Sequence, residues 1–263
     1  MSQTAAGAEL RGVDVAGPPD GEPIVFVHGV TFTRATWAPQ REALSDEFRV
    51  VVPDLPGHGA RSETDFRMEA ALDRLTDVID EVAGGSATLA GLSLGGYVAT
   101  EFARRNPDMV DALVISGSSA NPVGSLETLT RVVSKLSNAA TKSRLVRRGA
   151  DALARRWIDR RDLPRDVKRE IKDAGFYPGQ FGEAGLELAG RDFRTAFAAY
   201  PGPALICNGR WDLLNRLGER AHASAAGDAD VEAFAGAGHV CTLERPEEYI
   251  ATIRRVVRTR ARR

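Results

Sequence analysis

The stretch Ala87-Thr88-Leu89-Ala90-Gly91-Leu92-Ser93-Leu94-Gly95-Gly96 decides how this chain is read. An apolar run of strand character ends at Gly91 and an amphipathic run of helical character begins at Leu94, so Ser93 stands at the apex of a sharp strand-to-helix turn. A serine lifted above the end of a strand takes a strained backbone conformation, and the residues two positions to either side must leave room. Gly91 and Gly95 do so because they carry no Cβ. The helix start also turns the Leu94 N–H toward the atom that Ser93 would attack, where it can hold negative charge. The bare Gly-x-Ser-x-Gly spacing is weak evidence, since a chain with 26 glycines in 263 residues holds one by chance roughly one time in ten. The surrounding sequence has to carry the rest.

Outward from this turn, short β-branched runs alternate with amphipathic stretches, the pattern of a mostly parallel sheet with helices on both faces, hence an α/β fold. Strands are expected at 9–15, 24–28, 49–53, 87–91, 111–116, 203–208 and 231–234, and helices at 37–46, 68–83, 94–105, 214–226 and 246–260. The alternation breaks once. Between Ser118 and Pro203 the chain shows helical periodicity and no strand, with helices expected around Leu126, Leu129, Val132, Val133 and Leu136, then at 143–159, 164–174 and 186–199. The expected organisation is a core of residues 1–119 and 201–263, with 120–200 inserted as a helical lid above the carboxyl ends of the strands.

Composition narrows the partners. A chain with 43% hydrophobic residues can bury a large core, and 35 basic against 36 acidic residues leave no global field to recruit nucleic acid or an anionic membrane. The expected partner is a small-molecule substrate. Residues 1–10 lack a basic flank and apolar core, and no stretch reaches the length of a membrane-spanning helix, so a cytoplasmic location is expected. Cys207, in a strand-like run, and Cys241, in a loop-like one, make neither a disulfide framework nor a metal-ligand spacing. No metal and no cofactor are implied. The arginines and lysines between Lys142 and Lys172 suit a solvated helix face better than an anion site.

A serine hydroxyl needs a base to take its proton, and the base needs a third group to hold its tautomer. Of the four histidines, His222 falls inside an amphipathic helix, where a surface or a packing position explains it, and His28 and His58 precede glycines in turns where structural hydrogen bonds are expected. His239 follows the last strand in the glycine-bearing Ala237-Gly238-His239 loop, at the sheet edge where the serine turn opens. Asp212 follows the strand ending near Asn208, in the place for the acid, although an aspartate capping the next helix would look the same. The loop after 24–28 supplies a second oxyanion donor, the backbone N–H of Val30, while Asp54-Leu55-Pro56-Gly57-His58-Gly59 reads as a structural turn without chemistry.

Taken together, Ile24–Gly29 (IVFVHG), Trp37, 50–62 (VVVPDLPGHGARS), 89–103 (LAGLSLGGYVATEFA), 204–212 (ALICNGRWD) and 236–249 (GAGHVCTLERPEEY) resemble the α/β-hydrolase superfamily. Within it they resemble the lidded branch of esterases, enol-lactonases and cofactor-free haloperoxidases. The resemblance implies the α/β-hydrolase fold, with a lid after the family's sixth strand. It also implies Ser93 as nucleophile, Asp212 as acid, His239 as base, and Val30 and Leu94 as oxyanion donors. One departure is an N-terminus with a single clear strand where a hairpin is usual. The serine argues against the dehalogenase and epoxide hydrolase branches, which use aspartate there. The implied reaction is cleavage of an ester, lactone or thioester by a Ser-His-Asp relay; elimination at the same triad, or a silent site in a ligand-binding receptor, are the other readings. In the inserted segment Phe176, Tyr177 and Phe181 are the candidates for lining a substrate pocket, with Phe193, Phe197 and Tyr200 beside them, although lid core explains such aromatics as well.

Overall fold

The runs Ile24–Val27, 50–52 and 87–92 are apolar at nearly every position rather than alternately, as strands covered on both faces must be. The computed structural model, which describes residues 11–227 and 229–260, places them together in the middle of a seven-stranded sheet. The strands are β1 (Val13–Ala16), β2 (Pro23–Val27), β3 (Arg49–Pro53), β4 (Ala87–Leu92), β5 (Val110–Ser116), β6 (Ala204–Gly209) and β7 (Asp230–Phe234). Their order is β1-β3-β2-β4-β5-β6-β7, with β1 antiparallel to β3 and every other pair parallel. The expected first strand at 9–15 lies partly outside the described residues; residues 11 and 12 form a turn, and the strand runs on to Ala16.

The helices are α1 (Ala38–Leu44), α2 (Met68–Val82), α3 (Leu94–Arg105), α4 (Ser125–Thr141), α5 (Arg144–Asp159), α6 (Arg165–Asp173), α7 (Gln180–Leu188), α8 (Phe193–Ala198), α9 (Leu213–Ala225), α10 (Cys241–Glu244) and α11 (Pro246–Arg260). One face of the sheet is covered by α2 and α3, whose Leu75, Ile79, Val98 and Phe102 pack on Val25, Leu89 and Leu113. The other face carries α1 and α11, with Leu44, Tyr249 and Ile253 on Ile24, Val50 and Val114. The helix expected at 37–46 opens instead with a tight turn over Arg34–Trp37, because the Thr33 hydroxyl accepts the Ala35 N–H and Pro39 fits only the first turn of the helix proper.

Between β5 and β6 the described chain is helical from α4 to α8. The single helix expected at 186–199 is two, since Gly190 takes a positive φ of 90° and Asp192 caps α8 by accepting the Thr195 N–H. The apolar stripe of α4 does not face the core: Leu129 is 57% and Leu136 65% exposed, while the buried residue of that helix is Ser134. Gly182 and Gly185 of α7 lie against Ser134, so small residues rather than leucines join α4 to α7. Cys241, expected in a loop, opens α10. Among the described residues no helix is long and apolar enough to cross a membrane.

Candidate active site

The strand order reverses direction between β2 and β4, and open α/β sheets bind ligands outside the carboxyl ends of the strands flanking such a reversal. Register holds these ends level, with Val27 opposite Gly91 and Leu92 opposite Ser116. Ser93 is the first residue past β4, at φ 52° and ψ −115°, one of two non-glycine residues with positive φ among those described. The glycine requirement is visible on both sides. A Cβ at Gly91 would enter the Gly95 carbonyl, and one at Gly95 would enter the carbonyl of Val27 on the adjacent strand. The strained apex is tied down by the Ser93 N–H, which donates to the Ser116 carbonyl at 2.7 Å, and by the Ser118 hydroxyl, which donates to the Ser93 carbonyl at 2.9 Å.

His239 reaches this apex from the loop after β7. Its Nε2 lies 2.9 Å from Ser93 Oγ and its Nδ1 lies 2.7 Å from Asp212 Oδ2. Loops from β6 and β7 are stitched together beneath, with the Trp211 N–H on the Ala237 carbonyl at 2.9 Å and the Arg210 N–H on the Phe234 carbonyl at 2.9 Å. Gly117 gives the imidazole its space, for a Cβ there would stand 3.0 Å from His239 Cε1. Burial pushes the Asp212 carboxyl upward, but hydrogen bonds from His239 and then Asn215 outweigh it and hold the group below the usual aspartate range. An ionised Asp212 accepts, so Nδ1 carries the proton and the Nε2 lone pair faces the serine hydroxyl. The side chain of His239 is 47% exposed and that of Asp212 8%, which leaves the imidazole open and the carboxylate shielded.

Val30 and Leu94 flank the serine from two directions. Leu94 opens α3, and the loop of Val30 approaches so closely that a Cβ on Gly29 would stand 3.5 Å from that of Ser93. Neither N–H donates to another group among the described residues. The Val30 loop is held from below by His28, whose Nδ1–H donates to the Gly29 carbonyl at 2.9 Å and whose Nε2 accepts the Leu55 N–H at 3.0 Å. Asp54, fully buried in the turn read as structural, accepts the Arg34 N–H at 2.9 Å and pairs with its guanidinium, pinning the far end of the same loop. His58 donates to the Pro56 carbonyl at 3.0 Å, and His222 packs against Phe197, both as expected from their places in sequence.

The aromatic candidates separate. Phe176 lies 6.0 Å from the ring of Phe32, and Tyr177 donates its N–H to the Thr31 carbonyl at 2.8 Å, so both stand beside the Val30 loop. Phe181 is 43% exposed at the start of α7 and joins neither. Phe193, Phe197 and Tyr200 are core: Phe193 stacks on Tyr97, Phe197 is buried, and the Tyr200 hydroxyl donates to the Val110 carbonyl. Sequence patterning missed Phe32, Trp157 and Val240, which complete an apolar wall with Phe176. They come from three distant segments. Among the described residues no group of three or more His, Cys, Asp or Glu side chains could hold a metal ion.

Comparison with known proteins bears on the family and the fold. The alpha/beta hydrolase family model matches residues 24–252. The chain is 28% identical over 245 residues to carboxylesterase YbfK of Bacillus subtilis, covering 88% of this chain and 79% of that one. It is 41% identical to a pimeloyl-[acyl-carrier protein] methyl ester esterase of Vibrio cholerae over 99 residues, 38% of either chain. A solved structure of a thermophilic esterase from Thermogutta terrifontis superposes with a TM-score of 0.73 at 29% identity, covering 94% of this chain and 93% of that one. The chain belongs to the alpha/beta hydrolase family.

Proposed function

From membership of that family, we propose that the chain is a serine hydrolase cleaving a carboxylic ester, lactone or thioester of a small to medium molecule, with Ser93 as nucleophile, His239 as base and Asp212 as acid. The observation that carries the reading is the relay itself: Ser93 Oγ, His239 and Asp212 joined at 2.9 and 2.7 Å on a strained elbow. Esterases among the relatives support ester cleavage as the reaction class.

His239 Nε2 takes the Ser93 proton as Oγ attacks the carbonyl carbon, and Asp212 stabilises the imidazolium that forms. The carbonyl oxygen becomes an oxyanion between the N–H groups of Val30 and Leu94, each such donor contributing on the order of a hundredfold to turnover. Collapse expels the leaving group, which takes the proton from Nε2. Water then attacks the acyl-enzyme, giving its proton to His239, and the acid product departs as Ser93 regains a proton. The wall of Phe32, Trp157, Phe176 and Val240 supplies an apolar side for the substrate, and Tyr177, next in chain to Phe176, packs on His58. We assign residues 120–200 the part of the lid over this side. Phe181 has no place in the wall, so we leave it out of the substrate contacts.

A panel of esters, lactones and thioesters graded in acyl size tests the reading against wild type and Ser93→Ala. The expected result is turnover by wild type, rising from acid to neutral pH as an imidazole gives up its proton, and a loss of at least about a thousandfold in Ser93→Ala. Undiminished hydrolysis by Ser93→Ala overturns it.

A further inference from the structure

Asp212 Oδ2 accepts two hydrogen bonds, one from His239 Nδ1 at 2.7 Å and a second from the side-chain amide of Asn215 at 2.8 Å. The orientation of that amide is not arbitrary. Its Oδ1 accepts the Ala120 N–H at 2.9 Å, so the end facing the carboxylate must be the NH2 group. Asn215 is buried, and its main-chain carbonyl accepts the Ser119 hydroxyl at 2.8 Å. Ser119 Oγ in turn accepts from Asn208 at 3.1 Å; Asn208 also donates to Glu219 at 3.0 Å and accepts the Gly117 N–H at 3.1 Å. A buried polar network with its members paired in this way holds a single arrangement. It joins the carboxylate on α9 to the loop after β5, the loop that feeds α4.

On the reading of Asp212 as the triad acid, we infer that Asn215 is a positioning residue for the reaction: it fixes the carboxylate in the plane of His239 and, by donating to the shared oxygen, restrains how strongly that oxygen holds the imidazolium. An oxygen that already accepts one N–H is a weaker partner for a second. Removing the Asn215 donor therefore leaves a more basic carboxylate, which holds the imidazolium more strongly. The other groups facing the pair do not compete. Burial pushes the Tyr97 hydroxyl on α3 above its ordinary range and the Cys241 thiol on α10 up to about 12. Glu219 on α9 is paired with Arg216, and Glu244 on α10 with Arg161 at 3.1 Å.

The test is the pH profile of ester hydrolysis by Asn215→Leu, which keeps the branched shape and loses the donor, and by Asn215→Ala, which loses the donor with less bulk should the leucine variant not fold. The expected result in either variant is a kcat lowered about tenfold with KM within about twofold, and an acid limb moved to higher pH by about half a unit. Ser119→Ala removes the next link but leaves the contact with Asp212, and its acid limb should coincide with wild type. A folded Asn215 variant with wild-type kcat and acid limb overturns the inference, as does an equal displacement in Ser119→Ala. Failure of the functional reading is separate, because it is seen in Ser93→Ala and leaves no hydrolysis dependent on the serine to profile.

Discussion

Beside the elbow serine, Gly95 has no room for a side chain. A methyl group there meets the carbonyl oxygen of Val27, a backbone atom of the neighbouring central strand that cannot swing aside as a flexible side chain would. Gly95→Ala should therefore lower stability by about 1–3 kcal/mol as overpacking, and it should displace the Leu94 N–H from Ser93, reducing kcat by about a hundredfold or more. Thermal unfolding and ester turnover measured on the same preparation check both, and an alanine variant with wild-type turnover would show that the elbow tolerates a Cβ. The glycine spacing, the serine and the order Ser93, Asp212, His239 were legible because each is tied to a turn after a strand. Asn215 was not legible, since a polar residue one turn into a helix has no sequence signal until the fold sets its amide against a carboxylate. Phe32, Trp157 and Val240 were hidden for the same reason: each looks like any apolar residue until segments 125 residues apart are brought together.

At the scale of elements, the sheet strands and the helices covering them followed from period and punctuation, whereas the helices between β5 and β6 did so only in part. Patterning located α4 without saying where its leucine stripe points; the structure turns Leu129 and Leu136 to solvent and packs the helix through Ser134 onto glycines of α7. Hydrophobic periodicity reports that a helix has an apolar face, and it is silent on which face a neighbour's small residues will accept. The α4–α7 contact is the closest between helices in this segment, and it rests on small residues. A side chain at Gly185 would strike the Ser134 hydroxyl, so Gly185→Leu should pry α4 from α7 while the loops bearing Ser93, Asp212 and His239 stay in place. Amide exchange over 125–141 and 180–188 should speed by about tenfold or more with β4 and β5 unchanged, and turnover of a small ester should stay within about twofold. Uniform acceleration across the sheet would show that these helices and the sheet unfold as one unit.

For the molecule as a whole, the net charge of −1 hides where its pH sensitivity resides. His28, His58 and His222 are fully buried, and burial lowers them to about 4, 3 and 4. In the unfolded chain each would titrate near 6.5, so between about pH 6.5 and pH 4 the unfolded state binds protons that the folded state refuses. Stability is then greatest above the unfolded value and falls as pH drops through this window, the reverse of a histidine held by a carboxylate. At pH 5 each of the three costs about 2 kcal/mol, from 1.4 kcal/mol per pH unit below 6.5, and together they consume a large share of the 5–15 kcal/mol typical of a folded domain. Carboxylates held low by partners, Asp212 and Glu101 among them, add their loss only below the ordinary aspartate and glutamate range, so the histidines act first. Denaturant midpoints measured from pH 7 to pH 5 should correspond to uptake of between two and three protons on unfolding, and His222→Gln should remove one of them. Uptake of fewer than one proton over that interval would show that the three imidazoles are not held neutral by burial. An esterase built this way would be limited in acid by its scaffold as well as by its base, because His28, which supports the Val30 loop, is one of the three that must stay neutral.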